Sequence, residues 1–231
     1  MSSRKKFFLV FCFIILDMFL LIGYLVIRDA TMRNDLRKEI HELSKLDITR
    51  DRYNRKLKTK GDYATVEKAI KEYLDDYAVS LQEVLKVIDD KELTTILSSD
   101  NYTKDGPEFT NSLKYLNTTK DQFNEDINTL ILNLEEDNIK NYINDKTNDP
   151  YYRNLYIELM LDEDMKGNFS ETKRLLENTK KDVNNIFSVS TEVLNFLSFN
   201  KGNWQVEEGQ IKFQTQDLYN QYNTLISKLH Q

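Results

Sequence analysis

The stretch DYATVEKAIKEYLDDYAVSLQEVLKVI, residues 62–88, decides the fold class of this chain. Its apolar side chains recur at steps of three and four residues, which places them on one face of an α-helix. That face comprises Val66, Ile70, Tyr73, Leu74, Tyr77, Leu81, Val84, Leu85 and Ile88. The opposite face carries charged side chains, Glu67 and Lys71 among them, and we expect it to be solvated. Asp62 is a natural N-cap for this helix.

Similar patterns predict further helices towards the C-terminus. A turn-rich stretch, SSDNYTKDGP at 98–107, precedes a long amphipathic helix that reaches about Asn133, with Pro107 in its first turn. Another long helix is predicted from near Ser170 to the Lys201-Gly202 pair. Helices with such wide apolar faces need each other for stability, so we predict an all-α fold: an antiparallel bundle of three to four long helices.

Two shorter features complete the predicted bundle. Asp149-Pro150 marks the start of a short helix, with Asp149 as its cap. Near the C-terminus, a two-residue turn at Glu208-Gly209 would pair Val206 with Ile211 and Trp204 with Phe213 in a β-hairpin. Since a lone hairpin is marginal in water, we expect its apolar face to cover the end of the bundle.

The N-terminal region reads as a membrane anchor. Residues 7–27, FFLVFCFIILDMFLLIGYLVI, carry a single charge and would form a helix about 31 Å long, close to the hydrocarbon thickness of a bilayer. The run is too long for a cleaved signal peptide and no suitable cleavage site follows it. A short basic tail precedes it, so we predict a single-pass cell-membrane protein with a cytoplasmic N-terminus and an extracytoplasmic bulk.

Asp17 lies at the centre of this predicted span. A carboxylate there is costly, so the residue marks a candidate contact with a membrane partner. The alternative is a protonated side chain whose cost is offset by its apolar neighbours.

The predicted organisation has four segments and an uneven charge. They are a cytoplasmic tail (1–6), the transmembrane helix (7–27), a basic juxtamembrane stalk (28–61) and an acidic helical-bundle domain (62–231) with the hairpin at 203–214. The stalk ends in KTKG at 58–61, a predicted hinge. Its basic side chains could contact membrane lipid headgroups; the alternative is a solvated helix of mixed charge. The chain has a net charge of −6, concentrated in the bundle domain, which excludes nucleic acid as a partner.

Catalytic chemistry is poorly represented in the sequence. The chain has one Cys and two His, with His41 in the stalk and His230 near the end, so no nucleophile has an evident His partner. We therefore predict no enzyme and no cofactor; a carboxylate-based envelope hydrolase is the remote alternative.

One stretch resembles a calcium loop. Asp162, Asp164 and Gly167 match its first, third and sixth positions, but Lys166 and Lys173 replace two of its ligands. We predict no metal there, and interpret the stretch as an acidic turn between helices.

The remaining site candidates are tyrosines. Tyr102, Tyr151 and Tyr152 lie in or beside predicted turns, and we expect them to be exposed and to form a contact patch. The leading hypothesis is a membrane-anchored, non-enzymatic bundle that binds another protein or an envelope component. The alternative is a sensor or binding subunit for a small ligand that works through a membrane partner. A pocket between helices lined by Tyr would favour the second hypothesis.

The layout generically resembles single-pass bacterial envelope proteins with a helical ectodomain. It is also similar in outline to the helical sensor domains of chemoreceptors. Those receptors have a second span and a cytoplasmic signalling module, and we find neither in this sequence.

Overall fold

Helices dominate the computed structural model of this protein, which describes residues 26–43 and 56–230. The described residues form two compact units. The first takes in the chain up to Leu74 together with Lys140–Asp162, and the second takes in Asp75–Ile139 and the chain from Glu163 onward. The elements are α1 (residues 26–43), α2 (Asp62–Ile88), α3 (Lys91–Thr95), α4 (Ser99–Asp105), α5 (Thr110–Leu132), α6 (Glu136–Asn144), α7 (Pro150–Met160), α8 (Glu163–Phe199), β1 (Trp204–Glu207), β2 (Gln210–Phe213), α9 (Gln216–Ser227) and a 3-10 turn (Lys228–His230).

The first unit contains α1, α7 and parts of α2 and α6. Its buried apolar side chains are Leu36, Leu43, Tyr63, Val66, Ala69, Ile70, Tyr73, Ile143, Leu155, Tyr156, Met160 and Leu161. Tyr73 of α2 meets Tyr142 of α6 edge to face, with ring centroids 5.4 Å apart. Arg33 of α1 binds Glu158 of α7 at 3.0 Å. Apolar burial and aromatic packing therefore hold four sequence-distant segments together.

The second unit is built around α5 and α8. Phe123 of α5 packs on Phe187 of α8 at 6.1 Å between ring centroids. Next to this contact, the side-chain amides of Asn124 and Asn184 donate hydrogen bonds to each other at 3.0 and 2.9 Å. This reciprocal pair satisfies both amides at the helix contact, so it fixes the register of α5 against α8 at little cost.

The hairpin confirms the predicted pairing. Strands β1 and β2 are antiparallel, with Trp204 opposite Phe213 and Val206 opposite Ile211. Glu208 and Gly209 both have positive φ, 53° and 74°, as a two-residue hairpin turn requires. The four apolar side chains pack against the core of the second unit, and the Trp204 indole N–H donates to the Leu197 carbonyl at 2.7 Å.

The predicted transmembrane architecture is corrected by the structure. None of the helices within residues 26–43 and 56–230 is long and apolar enough to cross a membrane. The reason is that each long helix carries charged side chains along one face, as α2 does. The predicted fold class and the predicted cell-membrane location are therefore wrong on this point. Residues 7–25 of the predicted span, with Asp17, lie outside the described residues.

Helix boundaries are confirmed in some places and wrong in others. Helix α2 covers Asp62–Ile88 as predicted, and α7 begins at Pro150 with Asp149 as its N-cap. The stretch 98–107 was expected to be a turn, but Ser98 caps a short helix there and α5 begins only at Thr110. The predicted division into segments 1–6, 7–27, 28–61 and 62–231 stays a prediction.

Asp105 caps the N-terminus of α5 with its side chain, because Phe109, the residue at the N-cap position, makes no capping hydrogen bond. Its carboxylate accepts hydrogen bonds from the Ser112 backbone N–H at 2.7 Å and from the Asn111 side chain at 2.8 Å. Partial burial opposes the charge, but these hydrogen bonds outweigh it and lower the pKa of the Asp105 carboxyl. The stabilisation is therefore present above the pKa of the unfolded chain, near 3.9, and is lost as the pH falls through the lower folded value.

We expect Asp105→Asn to lower the free energy of unfolding by about 1 kcal/mol at neutral pH, because asparagine has one acceptor oxygen and cannot accept from both the Ser112 N–H and the Asn111 side chain. Urea unfolding followed by the fluorescence of Trp204, the single Trp, measures this loss. The difference between Asp105→Asn and the parent should vanish in acid. Asp121→Asn, on the exposed face of α5, is the matched control and should change stability by less than about 0.5 kcal/mol. Equal losses in the two variants would contradict the capping role.

Candidate functional site

A cleft of about 650 Å³ opens in the first unit beside the start of α2. It lies between α1, the turn that precedes α2, and α7. Its lining residues are Val26, Arg28, Asp29, Met32, Lys60, Gly61, Asp62, Tyr63 and Tyr152. The lining holds two basic and two acidic side chains with two tyrosines and two apolar residues. A cleft of this size and mixed character suits a small organic ligand.

Tyr63 forms the fixed base of the cleft. Its side chain is only 4% exposed, and its hydroxyl donates to Asp29 Oδ1 at 2.8 Å. The same hydroxyl lies 3.1 Å from the hydroxyl of Tyr151. Burial first, and then these hydrogen bonds, raise the pKa of Tyr63, so the phenol stays protonated. The network thereby holds the Asp29 carboxylate of α1 in place at the cleft.

Tyr152 forms a wall beside that base. Its ring meets Tyr63 edge to face at 5.2 Å and Tyr151 at 5.0 Å between centroids. Burial raises the pKa of the Tyr152 hydroxyl, and the negative charges of Asp62 and Asp29 raise it further. Two carboxylates from different helices therefore act on one aromatic side chain at the cleft.

The basic side chains of the cleft come from both sides of the α2 start. Arg28 belongs to α1, and Lys60 precedes Gly61, whose φ of +61° lets the chain turn into the helix. Among the described residues, Arg28, Lys60 and Asp62 form no ion pair. Since all three are exposed, their charges are available to a ligand.

A buried ion cluster fixes the segment that leads into the cleft. Lys71 Nζ lies 2.7 Å from Glu67 Oε1 and 2.9 Å from Glu39 Oε1, and all three side chains are at most 4% exposed. Glu67 also accepts the backbone N–H groups of Lys58 and Thr59 at 3.0 and 2.8 Å. Glu67 and Lys71 were expected on a solvated face; that expectation is wrong, because α1 and residues 56–59 cover it.

The pKa of the Glu67 carboxyl reflects the same cluster. Burial opposes the charge, but the hydrogen bonds from Lys71, Thr59 and Lys58 outweigh it and lower the pKa. Glu67 is therefore an anion that holds the backbone before Lys60 in position. Its role towards the cleft is to position that backbone.

Tyr102 belongs to the second unit, and its predicted exposure is wrong. It is 3% exposed, because Phe109 and Trp204 pack on its ring at 5.8 and 6.2 Å. Its hydroxyl lies 3.0 Å from that of Tyr222. A groove of about 300 Å³ adjoins it, lined by Tyr102, Thr103, Gly106, Pro107, Gly202, Trp204 and Val206. No charged side chain lines that groove among the described residues.

The calcium-like stretch is arranged differently from a calcium loop. Asp162 precedes α8, whereas Asp164 and Gly167 lie within that helix, which begins at Glu163 and not near Ser170 as expected. A helical backbone cannot wrap six or more oxygens around one ion. Within the described parts of the chain, no group of three or more His, Cys, Asp or Glu side chains could hold a metal ion.

The structure therefore joins only part of the predicted contact patch. Tyr151, 44% exposed, and Tyr152 lie together in the first unit, and the patch as a binding site stays a prediction. The charged residues of the cleft were not predicted as a site from the sequence: Arg28, Asp29 and Lys60 fall in the predicted basic stalk, and Asp62 was interpreted only as a helix cap. Their only local signal is the charged pair Arg28-Asp29 and the stretch Lys60–Tyr63.

No protein-family model, no curated protein and no solved structure matches the chain.

Proposed function

We propose that the first unit is a non-catalytic binding module for a small organic ligand. The observation that carries the proposal is the cleft at the start of α2, where side chains with available charges surround a fixed aromatic base. Binding sites commonly combine such a preformed cavity with a few polar groups that orient the ligand. The cleft lining, as far as the structure describes it, includes no Ser, Thr, Cys or His, so its chemistry suits recognition better than nucleophilic or His-based catalysis.

The rigidity of the cleft base supports the proposal further. Tyr63 and Asp29 hold each other by a hydrogen bond, and Glu67 holds the backbone that precedes Lys60. A site that is ordered before binding loses less conformational entropy when the ligand arrives. A protein partner, the other predicted function, stays a prediction; the side chain of Phe199, 90% exposed, is the most exposed large apolar group of the second unit.

A fragment screen by saturation-transfer NMR tests the binding function. We expect compounds that bind the full chain and lose about tenfold or more in affinity in Tyr152→Ala, because that variant removes the cleft wall. Tyr219→Ala is the matched control, since Tyr219 is 46% exposed and lies in the second unit. If no compound depends on Tyr152, or if Tyr219→Ala has the same effect, the cleft is not a binding site.

A further inference from the structure

The cleft is lined by equal numbers of acidic and basic side chains. Asp29 and Asp62 supply two negative charges, and Arg28 and Lys60 supply two positive ones. A ligand of one sign would meet as much repulsion as attraction, whereas a ligand with both charges can satisfy both pairs. The lining therefore favours a small zwitterion over a simple anion or cation.

The acidic pair is suited to an ammonium group. Asp29 and Asp62 line the same cleft as the ring of Tyr152, its aromatic wall. Carboxylates attract an ammonium group directly, and the face of an adjacent aromatic ring adds a cation–π contribution. The hydrogen bond from Tyr63 to Asp29 holds one of these carboxylates in place before the ligand arrives.

The basic pair is suited to a carboxylate. The planar guanidinium of Arg28 can bind two carboxylate oxygens at once, and the Lys60 ammonium adds a point charge. Gly61, between Lys60 and Asp62, leaves open space where a Cβ would stand. Val26 and Met32 add apolar surface to the same cleft, which suits an aliphatic side chain on the ligand.

We propose that the cleft binds a zwitterion of the α-amino-acid type with an aliphatic side chain. Its ammonium group would lie at Asp29 and Asp62, and its carboxylate at Arg28 and Lys60. This inference rests on the proposed binding function and names the class of ligand that the cleft accepts.

Three probes with the same hydrocarbon chain test the inference: L-leucine, L-leucinamide and 4-methylpentanoate. The amide lacks the carboxylate, and 4-methylpentanoate lacks the amine. By isothermal titration calorimetry on the full chain at neutral pH, leucine should bind about tenfold or more tightly than either analogue, since each analogue loses one charge-assisted interaction.

Two variants assign the two ends of the zwitterion. Arg28→Gln should abolish most of the preference for leucine over leucinamide and keep its preference over 4-methylpentanoate. Asp62→Asn should abolish most of the preference for leucine over 4-methylpentanoate and keep the preference over leucinamide. Both side chains are exposed, so neither change should disturb folding, which circular dichroism checks.

The outcomes separate this inference from the proposed function. If leucine fails to bind, or binds no better than its analogues, while some fragment binds in a Tyr152-dependent way, the ligand class is wrong and the binding function stands. If no compound of either test depends on Tyr152, both are overturned. Selectivity that is the same in Arg28→Gln and Asp62→Asn as in the parent also overturns the inference.

Discussion

Glu67→Gln should lower the stability of the first unit by about 2 to 3 kcal/mol, because buried donors lose a charged acceptor while Lys71 keeps Glu39 as its ion-pair partner. Every oxygen of Glu67 receives a donor. Oε1 accepts from Lys71 Nζ and the Lys58 N–H, and Oε2 accepts from the N–H and hydroxyl of Thr59. A glutamine amide has only one acceptor oxygen. In either orientation its NH₂ group would face a donor, the Lys71 ammonium or the Thr59 backbone N–H, which would lose its acceptor.

Native-state hydrogen exchange of the peptides that cover residues 56–74 measures this loss locally. Glu72→Gln is the matched control, because Glu72 lies on the same helix with a side chain 40% exposed and pairs with Lys68 and Lys146. Exposed pairs contribute about 0 to 1 kcal/mol, so the control should change little. If the two variants lose the same stability, the buried cluster does not hold residues 56–59.

The charged face of α2 shows that hydrophobic periodicity predicts a helix but not which of its polar side chains are buried. The apolar stripe of residues 62–88 correctly predicts the helix and its limits. It cannot show that Glu67 and Lys71, on the other face, are buried. Their burial depends on Glu39 and on the backbone of residues 56–59, which are remote in sequence or irregular. Residues 58–61 were predicted as a hinge, but the backbone N–H groups of Lys58 and Thr59 are fixed by hydrogen bonds to Glu67.

Local turn chemistry was a better guide for the hairpin than for the start of α5. The Glu208-Gly209 turn fixes the strand register by itself, so the pairing of Trp204 with Phe213 follows from the sequence. Phe109, which precedes α5, has a φ of +53°, a conformation that is unfavourable for a bulky side chain. Only tertiary packing explains it, because the Phe109 ring is fully buried and stacks on Trp204 at 5.9 Å.

The residues that line the cleft were harder to predict from the sequence than the helices or the hairpin. Its two carboxylates are 33 positions apart in the chain, and Tyr152 is a further 90 positions beyond Asp62. Each of these residues has an adequate local explanation: Asp62 is an acidic residue in the first turn of α2, and Arg28 and Asp29 belong to the charged stalk predicted after residue 27. Their convergence depends on how α1, α2 and α7 pack within the first unit, which a single sequence does not encode in its local pattern.

Gly106→Ala should destabilise the second unit by about 1 to 3 kcal/mol, the usual cost of overpacking a filled site, or more. A Cβ at Gly106 would lie 2.4 Å from the Tyr102 carbonyl oxygen, 3.0 Å from the Trp204 ring and 3.1 Å from the Phe109 ring. The carbonyl belongs to the backbone of α4, so it cannot move aside as the end of a side chain could. The two rings stack on each other and leave little room to yield.

At Gly167, which lies in the same unit, substitution by alanine should have the opposite effect on stability. Gly167 lies inside α8, where an added Cβ would meet nothing within 4 Å, so Gly167→Ala should stabilise the unit by about 0.5 to 1 kcal/mol. Urea unfolding followed by Trp204 fluorescence measures both variants, and the emission maximum of Gly106→Ala should also shift, since the Trp204 ring contacts the added methyl. The opposite signs are the test, because the lower chain entropy of alanine in the unfolded state would by itself favour folding at both positions. If Gly106→Ala is neutral or stabilising, the close packing of Tyr102, Phe109 and Trp204 around Gly106 is wrong, and so is the shape of the groove that Tyr102, Gly106 and Trp204 line.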